Sequence, residues 1–158
     1  MNSDDSRALR QLLDEQPVAS LATLHRGEPA VSMVPFALPP GGVELLIHVS
    51  ALAPHTRDMR GHPRVGLLVV TARAPGVPPQ ALPRVSLQAD ARMLARDGGE
   101  YPAARTAYLA RFPDAEPIFG LGDFSLVALR PVSARLVAGF GRAHALVGES
   151  LSRWLLGG

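Results

Sequence analysis

Residues 31–64 read VSMVPFALPPGGVELLIHVSALAPHTRDMRGHPR, and this stretch contains two strand-like segments that lead into a short helix. The helix is predicted to begin at Pro54, because proline lacks the N–H group that would have no intrahelical partner at that position. It is predicted to end at Gly61 and Pro63, which are typical of helix ends. The rest of the chain can be placed around this unit.

The first turn of the helix carries groups that are able to hold an anion. His55 and Thr56 lie where backbone N–H groups lack helical partners and where the helix dipole is positive. Ser50 and Arg57 are close enough in the sequence to add further donors. The same residues also fit an ordinary connecting helix in which His55 and Arg57 face solvent. Local sequence alone leaves both interpretations open.

The residues before this stretch predict one helix and one hairpin. A helix is predicted from about Asp4 to Glu15, with three leucines on one face: Leu9, Leu12 and Leu13. Two strands are predicted to follow, Val18–His25 and Glu28–Ala37, joined by a tight turn at Arg26 and Gly27.

Two further strands flank the short helix. The strand from Val43 to Ser50 is predicted to alternate, with one apolar face and one polar face made of Glu44, His48 and Ser50. The segment Arg64–Thr71 is almost continuously apolar, which predicts a central strand covered on both sides.

The second half of the chain continues the β pattern. Ala74–Pro83 is rich in proline and is predicted to be an exposed loop, and an alternating strand begins at Arg84. Asp97 and Glu100 have the spacing of a capping box and predict a second helix, which a loop through Pro113 and Pro117 follows. The last elements are predicted to be two strands separated by Pro131 and a terminal helical turn, in this order: Asp123–Arg130, Val132–Phe140 and the turn around Trp154.

Six or seven antiparallel strands with hairpin turns and few helices predict a mainly β protein. We expect a closed or split antiparallel β-barrel, because the strands rarely alternate with long helices. At 158 residues the chain is expected to form a single domain, residues 1–158.

Composition excludes several classes of chemistry. The chain has no cysteine, so disulfides, thiolate metal sites and thiol catalysis are excluded. All 16 basic residues are arginine, which excludes Schiff-base lysine chemistry. The net charge is only +2 and acidic residues are interspersed, so we expect no nucleic-acid partner. Without an apolar run of membrane-spanning length or a charged leader, a cytoplasmic protein with no membrane association is expected.

Four segments, in this order and spacing, resemble a known family: PVASLATLHRGEPAVSMVPFAL, ELLIHVSALAPHTRDMRGHPRVGLLVV, PRVSLQADARML and GDFSLVALRPVSARLVAGFGRA. Together they are similar to the pyridoxamine 5′-phosphate oxidase-like, FMN-binding split-barrel proteins. Within that superfamily, Ser50–His55 and the GFGRA segment at Gly139–Ala143 look like the haem-utilisation branch. The resemblance covers about Gln16 to Ala143 and implies FMN as cofactor, with haem as the alternative.

The resemblance also implies a set of cofactor-binding residues. The backbone of the second strand would run along the flavin ring at Ser32, Met33, Val34, Pro35 and Phe36. A second group would lie against the ribityl chain and phosphate: His48, Val49, Ser50, His55 and Thr56. Arg84 would reach the cofactor from a neighbouring subunit, so a homodimer with two interface sites is implied. Each residue also has a purely structural interpretation.

One departure from the family pattern bears on the activity. His55 stands where oxidase relatives usually place a phosphate-binding lysine, which argues against a true pyridoxamine-phosphate oxidase. No catalytic acid or base is evident, because Asp58 and Asp123 lie at element starts that favour aspartate for structural reasons. Three histidines receive less weight as ligands: His25, His62 and His144.

Three functions therefore remain as hypotheses. The first is an FMN-dependent oxidoreductase that acts on an unknown small-molecule substrate. The second is haem binding or degradation, with a histidine as axial ligand. The third is a non-catalytic flavin carrier or a cofactor-free binding module.

Overall fold

In the computed structural model, which describes residues 1–157, the chain folds into one seven-stranded antiparallel sheet with five short α-helices. The strands are β1 Val18–His25, β2 Glu28–Pro35, β3 Leu45–Ser50, β4 Arg64–Val70, β5 Arg84–Met93, β6 Phe124–Gly139 and β7 Arg142–Val147. The helices are α1 Ser3–Glu15, α2 Pro54–Gly61, α3 Tyr101–Arg111, α4 Glu116–Phe119 and α5 Gly148–Leu155. Short 3₁₀ turns occur at Pro79–Ala81 and Pro113–Ala115.

The strand order β2-β1-β4-β5-β6-β3, with β7 added to β6, curls the sheet into a split barrel. Its two end strands, β2 and β3, are joined only at one bridge between Ala37 and Leu46 in residues 1–157. The free edge of β2 opens beside this split. The predicted mainly β, antiparallel split barrel is confirmed.

The local signals of the N-terminal half are confirmed. α1 buries Leu9, Leu12 and Leu13 against the barrel core, as its helical periodicity predicts. Arg26 and Gly27 turn the β1–β2 hairpin with φ values of 53° and 82°. A two-residue turn with positive φ at both positions matches the right-handed twist of the two strands.

The main core lies inside the curled sheet, and α1 and α5 pack against it. Arg111, the last residue of α3, stabilises the end of α1. Its guanidinium donates hydrogen bonds to the backbone oxygens of Leu13, Asp14 and Gln16. The same guanidinium lies over the Phe36 ring at 4.9 Å from its centroid. These contacts occupy carbonyl groups at the end of α1 that have no helical partner.

A second cluster covers the outer face of β3 and β6. Leu46, Leu126 and Ala128 pack there against Tyr108 of α3 and Phe119 of α4. The prediction that this face of the third strand is a polar face is wrong for His48, which is 9% exposed. Helices that lie some 50 residues later in the sequence bury it.

The structure corrects several predicted boundaries. The two strands predicted on either side of Pro131 are one strand, β6, because a bulge opposite Gln88 and Ala89 accommodates the proline. β7 lies where no strand was predicted, and α4 lies in the loop predicted after Pro113. The predicted capping box is wrong: α3 begins after Glu100, whose side chain caps nothing and instead binds Arg92.

β4 is central in the sheet but is covered on one face only. Val65, Leu67 and Val69 point into the core, whereas Leu68 and Val70 are exposed in a single chain. The predicted coverage on both sides is therefore not present in the monomer. Over residues 1–157, no helix is long and apolar enough to cross a membrane.

Candidate functional site

Helix α2 begins as predicted, and its first turn is fastened by internal hydrogen bonds. The hydroxyl of Thr56 is fully buried and donates to the Ser50 backbone oxygen at 2.6 Å. The Ser50 hydroxyl donates to Asp123 at 2.7 Å and accepts from the Leu52 N–H. Both hydroxyls that were predicted to contact a phosphate therefore make hydrogen bonds that stabilise the connection between β3 and α2.

His55 connects this helix to the second strand. Its Nδ1 lies 3.1 Å from the Ser32 hydroxyl, so two predicted cofactor residues from different elements are in contact. Burial lowers the pKa of His55, and the nearby Asp58 carboxylate opposes this effect only in part. The imidazole is consequently neutral at neutral pH. A neutral imidazole is a poor phosphate ligand and a good metal ligand.

The predicted flavin-facing backbone lies on an edge strand. Ser32, Met33, Val34 and Pro35 pair with β1 on one side, and the other side of β2 borders the split. Met33 points outward and Val34 points into the core. An edge strand offers backbone N–H groups to a ligand, as the family resemblance implies.

The side chains of His48 and Val49 point away from this region. Val49 packs in the main core. His48 stacks on Phe119, with ring centroids 3.9 Å apart, and its Nε2 has no hydrogen-bond partner within residues 1–157. Burial, together with the positive charge of Arg96, lowers the pKa of His48 to about 4. The structure does not bring the His48 imidazole together with His55.

Arg84 lies at the start of β5 and is engaged by its own chain. Its guanidinium donates to the backbone oxygens of Gln80 and Leu82 at 3.1 and 3.0 Å. These bonds hold the proline-rich loop. A reach into a neighbouring subunit stays a prediction.

A group that the sequence analysis passed over lies next to α2. Nδ1 of His25 is 2.8 Å from Asp58, and the Thr23 hydroxyl donates to the same carboxylate at 3.0 Å. Burial acts to raise the pKa of Asp58, but the hydrogen bonds from His25 and Thr23 outweigh it and bring the pKa below its ordinary value. An ionised carboxylate only accepts hydrogen bonds, so Nδ1 of His25 donates to Asp58, and Nε2 is the ring nitrogen that this contact leaves without a partner.

This group borders a cavity of about 280 Å³. Arg26, Arg57 and His62 give the cavity a basic lining, and Leu24 gives it an apolar edge. The only sequence signal was that Thr23 and His25 share one face of β1, since their contact with Asp58 depends on how α2 packs. Over residues 1–157, no cluster of three or more His, Asp or Glu side chains is arranged to hold a metal ion.

Comparison with known proteins places the chain in a family. A sequence model described as pyridoxamine 5′-phosphate oxidase matches residues 6–138, which is most of the chain. The chain belongs to the pyridoxamine 5′-phosphate oxidase family. The resemblance of the four sequence segments is thereby confirmed.

Relatives within this family carry names that refer to haem. The chain is 34% identical over 144 residues to the non-canonical heme oxygenase HOZ, chloroplastic, of Arabidopsis thaliana, which covers 89% of this chain and 42% of that protein. It is 28% identical over 145 residues to the heme oxygenase HutZ of Vibrio cholerae, covering 90% of this chain and 81% of that one. The chain thus spans about two fifths of the length of the plant relative.

A solved structure whose name also refers to haem is similar to this chain. A heme binding protein from Mycobacterium smegmatis superposes with a TM-score of 0.82 at 31% identity, over 94% of this chain and 60% of that chain. The names of these three proteins refer to haem, and none of them refers to FMN.

Proposed function

We propose that this protein binds haem and that the His25 imidazole would hold the iron. The observation that carries the proposal is the pair of His25 and Asp58, whose side chains are 42% and 6% exposed. Imidazoles that ligate a metal donate their second N–H to a carboxylate or carbonyl, which fixes the ring and strengthens the ligand. His25 combines such a buried carboxylate with an open Nε2.

The residues around His25 suit the periphery of a porphyrin. Arg26 and Arg57 line the adjoining cavity and would pair with the propionate groups of haem. Leu24 lies at the apolar edge of this cavity. Val31 and Met33 of β2, which are 74% and 63% exposed, lie on the opposite face of the β1–β2 hairpin from Thr23 and His25 and are not assigned to this site.

This arrangement would give separate roles to haem, to Asp58 and to the two arginines. Bound haem would supply the iron at which oxygen chemistry takes place. Asp58 would orient the imidazole and hold the proton on Nδ1, and its lowered pKa keeps the carboxylate ionised at neutral pH. The two arginines would fix the orientation of the ring.

We propose further that the site is completed by a second copy of the chain. A cavity of about 280 Å³ is smaller than the pockets that enclose a ligand of this size. The exposed apolar side chains on the outer face of the sheet give a self-complementary surface that a homodimer would bury: Val18, Val31, Met33, Leu68 and Val70. Sedimentation of the wild type and of Met33→Glu tests this, with a dimer and a monomer expected. A monomeric wild type would refute it.

Haem titration of the purified protein, followed by its Soret band, tests the main proposal. We expect saturable binding by the wild type, a loss of affinity of at least about tenfold in His25→Ala, and a smaller loss in Asp58→Asn. His144→Ala is the control, because His144 lies on β7 outside this cavity and its removal should leave affinity unchanged. Equal haem affinity in the wild type and His25→Ala would exclude His25 as the iron ligand but would leave haem binding standing. No haem binding by the wild type would refute the haem proposal itself.

FMN binding is the second candidate, and the contact between Ser32 and His55 favours it. That contact joins the strand predicted to follow the flavin ring to the helix predicted to hold the phosphate. Because burial lowers the pKa of His55, a phosphate contact through charged imidazole would strengthen only at acidic pH. FMN affinity at pH 5.5 and pH 8, in the wild type and His55→Ala, measures this. An equal affinity at both values would remove His55 from the role.

A further inference from the structure

We propose that a second ligand site, for an organic oxyanion with a small apolar body, lies between α1 and α5. A cavity of about 540 Å³ opens there, well away from α2 and the haem site proposed above. Its volume is in the range of pockets that hold small-molecule ligands. The site does not depend on the proposed haem function.

Arginine dominates the charge of this cavity. Arg7 and Arg10 reach it from α1 and Arg153 reaches it from α5, and its lining within residues 1–157 includes no acidic side chain. The whole chain has a net charge of only +2, so three arginines on one cavity are a strong local concentration. Planar guanidinium groups bind carboxylate and phosphate through paired hydrogen bonds.

Arg10 supplies the observation that points to a ligand. Its Nη1 is buried and has no hydrogen-bond partner within residues 1–157. Leaving a buried charged donor without a partner is unfavourable, and nearly all such groups in folded proteins are satisfied. Arg10 lines the cavity, so an oxyanion there would accept this hydrogen bond once the guanidinium turns its buried Nη1 toward the ligand. Arg153 already donates to Glu149 at the surface, and would share its remaining donors.

The apolar part of the assignment comes from Trp154 and Leu146, which also line the cavity. The Trp154 indole is 3% exposed, and its Nε1 donates to the Ser6 backbone oxygen at 3.2 Å. With this polar atom occupied, the part of the indole that lines the cavity is apolar. A carboxylate or phosphate attached to an aromatic or aliphatic body matches this combination of arginine and apolar side chains.

Trp154 also provides the assay, because it is the only tryptophan of the chain. The full-length protein is titrated at constant ionic strength with phenyl phosphate, inorganic phosphate and phenol, and tryptophan fluorescence is recorded. We expect a saturable change with phenyl phosphate, a weaker one with inorganic phosphate and none with phenol. The absence of a saturable change with phenyl phosphate would overturn the proposal, and equal affinity for inorganic phosphate would overturn its apolar part.

Two arginine variants locate the binding. Arg10→Met keeps the length of the side chain and should weaken phenyl phosphate binding at least tenfold, whereas Arg73→Met, in an exposed loop, should leave it unchanged. Circular dichroism confirms folding, and Arg153→Met replaces Arg10→Met if the latter does not fold. Equal affinity in the wild type and the folded cavity variant would assign the signal to non-specific charge.

Discussion

Acidification should destabilise this protein mainly through the buried His48, and His55, whose pKa burial also lowers, should act in the same direction. The ring is stacked between β3 and α4 in contact with Phe119, and both its burial and Arg96 disfavour the charged form. In the unfolded chain His48 takes up a proton near pH 6.5, while the folded chain resists protonation until about pH 4. Because the unfolded state binds more protons in this window, the free energy of unfolding falls as the pH falls.

The size of the effect follows from the width of that window. One proton over a pKa difference of this size changes the free energy of unfolding by about 1.4 kcal/mol per pH unit, or about 3 kcal/mol between pH 6.5 and pH 4. Above pH 6.5 the contribution of the neutral His48 to the free energy of unfolding is fully present. Hydrogen bonds lower the pKa of Asp58 and Asp90, so their contributions to the free energy of unfolding begin to fall only below about pH 5 and are lost mainly below pH 4.

Urea unfolding at half-unit steps from pH 8 to pH 4 measures this directly. His48→Leu removes the group with the large pKa shift and the unpaired Nε2, so it should reduce the slope of the curve between pH 6.5 and pH 4, with no loss of stability at pH 8, and leave the part due to His55. His62→Gln removes an exposed histidine and should keep the full slope. Wild type and His48→Leu curves that run parallel through this window would refute the reasoning.

Three further substitutions test contacts that hold the fold, each by urea unfolding at pH 7.5. Thr56→Val removes the buried hydrogen bond to Ser50 and should cost about 1 kcal/mol, so an unchanged midpoint would show that the bond contributes nothing. Arg111→Met should cost about 2–3 kcal/mol because carbonyl groups at the end of α1 lose their donor, and rescue by Arg111→Lys would contradict the need for the planar guanidinium. Asp5→Ala separates α1 from Arg142 of β7 and should cost about 1–2 kcal/mol, whereas stabilisation would show that desolvation of Asp5 outweighs its pairing.

Features that depend on neighbouring residues could be predicted from the sequence. The leucine periodicity of α1 and the turn at Arg26 and Gly27 are fixed within a few residues of chain, and both predictions are confirmed. The strand β6 was divided at Pro131 because proline cannot donate a ladder hydrogen bond. The bulge that accommodates Pro131 depends on how β6 pairs with β5, so the sequence around Pro131 alone does not predict the bulge.

Contacts between distant segments explain the errors at the candidate site. Alternation along β3 correctly separates His48 from Val49, but it does not say that α3 and α4 bury the polar side. His25 and Asp58 are 33 residues apart, and nothing in either segment specifies that α2 presents Asp58 to β1. The contact between Ser32 and His55 could be anticipated more easily, because the family resemblance had assigned both residues to one cofactor.

The protonation state of the histidines bears on the choice between the two cofactors. The FMN hypothesis gave His55 the place of a lysine, and that role needs a positive charge on the imidazole. Burial lowers its pKa and so removes the charge at neutral pH. An iron ligand needs one ring nitrogen without a partner, and Asp58 leaves Nε2 of His25 in that position by accepting the hydrogen bond from Nδ1. The burial of His55 therefore weakens the case for a flavin phosphate, and the pair of His25 and Asp58 supports the haem proposal, although the same helix start had suggested a phosphate from the sequence.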